Sequence, residues 1–154
     1  MKFRFMRSLT MTAAALALVG ASAGAGYAQI PLSPASDPAI PEARGAVERY
    51  FNAADSGDPQ AVRNTFWPDG RISGAINGQV VSWSAEDFAN RNFKGTPSNS
   101  TDVVRMIEWI DVSGAGAVAR VKVTLPGDRQ YRDYFTLIRS NGVWKIGLKA
   151  FANP

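Results

Sequence analysis

Four β-prone stretches, about 101–112, 117–125, 130–139 and 143–151, are separated only by Ser113-Gly114-Ala115-Gly116, Pro126-Gly127-Asp128 and Asn141-Gly142. Connections this short join antiparallel neighbours, because a parallel crossover needs a dozen or more residues. The last third of the chain therefore predicts an antiparallel meander. Its second stretch alternates: Ala117, Ala119, Val121, Val123 and Leu125 point one way, and Arg120, Lys122 and Thr124 the other. That is the pattern of a sheet with one buried face, and the cover for that face must come from upstream.

Upstream, Ala43, Val47, Tyr50, Phe51 and Ala54 recur at helical spacing until Ser56-Gly57 stops them. Asp58 and Pro59 then cap and open a second, short helix, running to about Phe66 and ended by Pro68-Asp69-Gly70. Residues 71–73 and 79–83 flank Asn77-Gly78, a favoured hairpin turn. Ser84 caps a third helix, with Asp87 three residues on as a variant capping box. Residues 94–100 read as loop. The expected fold class is α+β: a cone-like curved antiparallel β-sheet (a meander) with three N-terminal helices packed on its concave face. Such a cone encloses a pocket between helices and sheet.

The chain opens with Lys2, Arg4 and Arg7, an apolar run from Leu9 to Val19, and small residues from Gly20 to Ala28. That order predicts a cleavable secretory signal peptide over 1–28, leaving Gln29 first, with cleavage before Gly26 as the alternative. The apolar run is shorter than the roughly 20 residues a membrane span needs, so no membrane association is expected after cleavage. With no cysteine to carry a lipid, a lipoprotein is excluded, and a periplasmic or secreted location is expected. Residues 29–41, with Pro31, Pro34, Pro38 and Pro41, predict an extended flexible leader, and 42–152 the domain. Of 17 basic residues three leave with the signal, so 14 stand against 13 acidic ones and the net charge falls from +4 to +1. No Lys/Arg run remains, and no nucleic-acid partner is expected.

The chain has no cysteine and no histidine. Disulfides, thiol catalysis, a Ser-His-Asp triad and the usual zinc sites are excluded, and no metal or cofactor is expected. The turn glycines Gly114, Gly116, Gly127 and Gly142 form no phosphate-binding pattern.

The order of elements resembles the nuclear transport factor 2-like superfamily, with SnoaL-like and ketosteroid-isomerase-like members, and within it the putative lumazine-binding branch. The residues that carry the likeness are Val47-Glu48-Arg49-Tyr50-Phe51, Ser56-Gly57-Asp58, Phe66-Trp67-Pro68-Asp69-Gly70, Asp133-Tyr134-Phe135-Thr136-Leu137, Asn141-Gly142-Val143-Trp144-Lys145-Ile146, Lys149 and Phe151. They span about 42–152. The fold hosts isomerases, dehydratases, cyclases, binding modules and transport factors, so function must come from the site. The resemblance to a ketosteroid-isomerase-like site puts Tyr50 at the oxyanion tyrosine and Asp133 at the neutral aspartate that donates beside it. It puts Gly74 where the carboxylate base stands, and the neighbouring Ser73 and Ala75 cannot abstract a proton from carbon. The plainer readings are an aromatic Tyr50 packed on the sheet and an Asp133 paired with Arg120 or Lys122.

Arg105, Glu108, Asp111, Arg132 and Asp133 form a second charged set able to support an epoxide-hydrolase or dehydratase step. Arg105 and Glu108, three apart on a strand, point to opposite faces, which favours cross-strand ion pairs. Trp109 is expected to share a face with Arg105. The candidate ligand-binding residues are Tyr50, Trp83, Phe88, Arg105, Trp109, Asp133 and Phe135, with Tyr50 and Asp133 the candidates for catalysis. The expected function is an exported, non-catalytic module holding a small apolar or aromatic molecule, and the resemblance implies a pterin-like or lumazine-like one. The alternatives are a cofactor-free isomerase, dehydratase or cyclase using Tyr50 and Asp133, and a protein-interaction module. A symmetric homodimer paired through the sheet is expected.

Overall fold

A computed structural model describes residues 37–97 and 103–152. The expected signal peptide and most of the expected leader lie outside the described residues. The leader's end does not: Ala39–Ser56 form the first helix, α1, so residues 39–41 belong to it. Pro41 fits in a first turn, where a missing N–H costs little, and the Asp37 side chain accepts from the Ala39 N–H at 2.8 Å. The buried stripe of α1 is Ala43, Ala46, Val47, Tyr50, Ala53 and Ala54. Gly57 ends it with φ of 68° and donates to the Ala54 carbonyl. A Cβ on Gly57 would stand 2.0 Å from the Thr96 carbonyl oxygen, so only glycine fits there.

The second helix, α2 (Pro59–Asn64), begins as expected, with Asp58 accepting from Gln60 N–H. It ends at Asn64 rather than about Phe66, and Pro68-Asp69-Gly70 lies inside strand β1 (Phe66–Ile76) instead of closing a helix. Pairing of β1 shifts register between Phe66 and Arg71, so Pro68, which cannot donate to a ladder, falls in the irregular stretch. Strand β2 (Gln79–Ser84) pairs with β1 around Asn77 and Gly78, both at positive φ. Helix α3 (Ala85–Asn92) is capped by Ser84, which accepts from the Asp87 N–H and donates to its carboxylate.

Strands β3 (Val104–Ser113), β4 (Gly116–Leu125), β5 (Arg129–Ser140) and β6 (Val143–Ala152) form the expected meander. The six strands make one curved sheet in the order β2-β1-β6-β5-β4-β3, antiparallel except for the parallel pair β1–β6. Helix α1 packs against β3, β5 and β6, and α3 against β1 and β2. Between them lies the core, centred on Val47, Ile72, Val121, Phe135, Leu137 and Ile146, all fully buried. The observed fold is the expected α+β arrangement of helices on one face of a curved sheet.

Two irregularities decide which side chains face the helices. In β3 the register shifts between Ile107 and Trp109, leaving Glu108 extra. In β6 it shifts opposite Thr136 and Leu137, leaving Gly147 extra. Because side chains alternate, one added residue reverses the inside/outside assignment of everything after it.

Candidate functional site

The bulge at Gly147 turns Lys149 inward. Ile146 is inside, so simple alternation would bury Leu148 and expose Lys149. With the extra residue, Lys149 lies opposite Phe135 and Phe151 opposite Asp133, both on the helix side. Lys149 and Asp133 are diagonal neighbours across β5 and β6, within reach of a long side chain. The Lys149 ammonium stands 2.9 Å from Asp133 Oδ2, with the two residues 6% and 7% exposed. Charges this buried survive only when paired. Four ring faces complete the enclosure: Phe151 at 5.6 Å, Phe88 at 5.8 Å, and Tyr50 and Phe135 at 5.9 Å from Nζ.

Burial alone would lower the pKa of the Lys149 ammonium. The ionisable Tyr50 hydroxyl, the Asp133 carboxylate and the hydrogen bond to it outweigh burial and hold it above the usual lysine value. Burial, the largest influence on Tyr50, raises its hydroxyl above its ordinary value, against a downward pull from Lys149. At neutral pH Lys149 is therefore an ammonium and Tyr50 a neutral phenol.

Lys149 and Asp133 form the polar wall of a cavity of about 410 Å³. Trp83, Phe88 and Phe151 line its aromatic side, and Val123, Leu125 and Tyr131 the facing one, with Ile76 and Asn92 completing it. The rings of Trp83 and Phe151 stack, 6.2 Å apart and 6° from parallel. Gly74 makes room for this: a Cβ there would come within 2.5 Å of the Phe151 ring. The position that the ketosteroid-isomerase likeness assigns to a base is thus the seat of an aromatic wall.

The sequence-derived candidates divide three ways. Trp83, Phe88 and Asp133 line the cavity. Tyr50 and Phe135 lie behind Lys149, packed edge to face 5.4 Å apart, and are not on the cavity wall. Arg105 faces the helix side but is tied to Asp55 at 2.7 Å and lies over the Phe51 ring. Trp109 is a correction. The bulge at Glu108 carries it to the outer face, opposite Arg120, so it shares no face with Arg105 and no part of the cavity. Asp133 is a second correction. Arg120 and Lys122 flank its register partner Val121 and point outward, so neither can be its partner, and Lys149 is. The second charged set separates across the sheet. Arg105 and Asp133 are inside, while Glu108 pairs outside with Arg120 at 2.8 Å and Arg132 at 3.2 Å.

Lys149, Phe151 and Tyr131 are site residues that the sequence reading did not assign. The available signal was Gly147, since a lone glycine inside a strand pattern marks a bulge.

Known proteins share this fold. The chain resembles an NTF2-like protein of unknown function from Methylobacillus flagellatus at 24% identity, over 80% of this chain and 97% of that one, with a TM-score of 0.67. It resembles a ketosteroid isomerase-like protein from Erwinia carotovora at 18% identity, over 76% and 97%, with a TM-score of 0.57. Among curated proteins it is similar to the aldolase FrzH of a Cladobotryum species, 24% identical over 106 residues, 66% of this chain and 81% of that protein. The family model described as "Putative lumazine-binding" matches residues 39–152, from the first residue of α1 to the last of β6. The chain therefore belongs to the family described as "Putative lumazine-binding", and it shares its fold with NTF2-like proteins of known structure.

Proposed function

We propose that this domain is an exported binding module that holds one small planar molecule, with an oxygen acceptor of the ligand on the Lys149 ammonium. The buried Lys149–Asp133 pair on the wall of an otherwise largely apolar cavity carries this reading. About 410 Å³ lies within the ~300–1,000 Å³ usual for small-molecule sites, and a few polar groups in an apolar lining fix orientation. A heteroaromatic ring fits the face of the Trp83–Phe151 stack. The family description supports a lumazine-like ligand, whose ring carbonyls would accept from Lys149.

Isothermal titration with lumazine tests this. Wild-type protein should bind it, and Lys149→Met should weaken binding roughly 10–100-fold, the weight of a hydrogen bond to a charged group. Equal affinity in both proteins would remove Lys149 from recognition.

A second reading, cofactor-free chemistry on a carbonyl compound in the same cavity, is favoured by one observation: Asp133 and Lys149 together offer a proton acceptor and a cation on its wall. The likeness to an aldolase points the same way. The test is turnover of carbonyl substrates by wild-type protein, abolished by Asp133→Asn.

A further inference from the structure

We infer that Lys149 is a carbonyl-capturing amine: an aldehyde or ketone entering the cavity condenses with it to a protonated imine. The inference rests on the binding reading above and names the ligand class that the same site would hold covalently.

An ammonium carries three donors. Among the described residues, Asp133 is the acceptor recorded for Lys149, at 2.9 Å. Its other close neighbours are the ring faces of Tyr50, Phe88, Phe135 and Phe151. Buried donors without acceptors are costly. A protonated imine carries the same positive charge on the same nitrogen but a single N–H. Asp133 satisfies that one donor, and the rings stabilise the charge as before. The enclosure matches an iminium more closely than the ammonium it holds.

The step balances without a co-reactant. Asp133 takes a proton from the ammonium, and the freed nitrogen lone pair attacks the carbonyl carbon as the C=O π pair moves to oxygen. A proton passes from nitrogen to that oxygen, giving a neutral carbinolamine. Asp133 returns its proton to the carbinolamine hydroxyl, which leaves as water as the nitrogen lone pair closes the C=N⁺ bond. Lysine ammonium and carbonyl compound give iminium and water, with one positive charge beside Asp133 before and after. The groups bearing on the proton are Asp133 on β5, Tyr50 on α1 and Arg105 on β3. Because Asp133 and Tyr50 hold the ammonium above the usual lysine range against burial and Arg105, capture should accelerate as pH rises toward that range.

The probe is benzaldehyde with sodium cyanoborohydride, which reduces the iminium to a stable benzylamine, read by peptide mass mapping. Occupancy is read separately by saturation-transfer NMR of benzaldehyde without reductant. The expected result is a benzyl adduct at Lys149 whose yield rises with pH and saturates with benzaldehyde concentration as the cavity fills, against a linear rise at the more exposed Lys94, Lys122 and Lys145. Lys149→Arg keeps a cation for Asp133 but forms no imine, and should lose the adduct while remaining folded by circular dichroism. Saturation transfer without a Lys149 adduct would overturn the capture and leave the binding reading standing. Neither transfer nor adduct would overturn the capture, and lumazine titration decides the binding reading separately. A Lys149 adduct that rises linearly with benzaldehyde, as at the other three lysines, would also overturn the capture.

Discussion

Replacing Lys149 by Met is the most informative single perturbation of this fold. Met fills a similar volume and suits a ring-lined enclosure, so packing changes little and the lost charge dominates. Asp133, 7% exposed, is left as a buried carboxylate without its cation. Breaking a buried pair in this way costs about 3–5 kcal/mol. For a domain of this size that lowers the melting temperature by roughly 10–20 °C. Removing both charges gives the opposite expectation. Apolar residues of similar shape in place of a buried pair are neutral or stabilising by about 1–4 kcal/mol, so Lys149→Met with Asp133→Leu should recover or exceed wild-type stability. Urea unfolding followed by circular dichroism measures all three proteins. A single variant that loses less than about 1 kcal/mol would mean that water already reaches the pair, contrary to its burial. A double variant no better than the single would refute the claim that the stranded carboxylate, rather than packing, is what destabilises.

Gly74→Val should displace the Phe151 ring from its stack with Trp83, cost about 1–3 kcal/mol by overpacking, and abolish lumazine binding by titration calorimetry. Lys149 and Tyr50 both hold their protons more tightly in the folded state, so their contribution is complete below the ordinary values of 10.5 and 10.0. It is lost as pH rises through the higher folded values, and the urea midpoint should fall only in that alkaline range. N-terminal sequencing of protein recovered from outside the cytoplasm should begin at Gln29 or Gly26; intact Met1 in the membrane fraction would remove the proposal of a cleaved signal. Light scattering should show the proposed dimer, paired through an outer sheet face where Trp109, Val118, Tyr134, Ile138 and Leu148 are partly exposed, and Tyr134→Lys should give a monomer.

The elements set by local chemistry were legible in the sequence. Asp58, Ser84, Gly57 and Asn77-Gly78 act on their own neighbours, and each does in the structure what its type and position predict. What was hidden depends on counting along a strand. Alternation read from Ile146 exposes Lys149, and read from Arg105 it puts Trp109 in the pocket; Gly147 and Glu108 each add one residue and reverse the result. Pro68-Asp69-Gly70 reads locally as a helix stop, yet tertiary pairing of Phe66 with Ile146 draws it into a strand. Family resemblance singled out Asp133, which lines the cavity, but not its partner, since the lysine lies on another strand and is turned inward by an irregularity.

The strand order has a consequence for how the chain reaches this structure. Strand β6, last in sequence, lies between β1 and β5. Until residues 143–152 are available, β1 has no neighbour on that side, β5 has an open edge, and Asp133 has no counter-ion. Closure of β6 against β1 joins segments some 80 residues apart, and such distant pairings are slow to form. The sheet, the ion pair and the cavity are therefore all completed by residues 143–152.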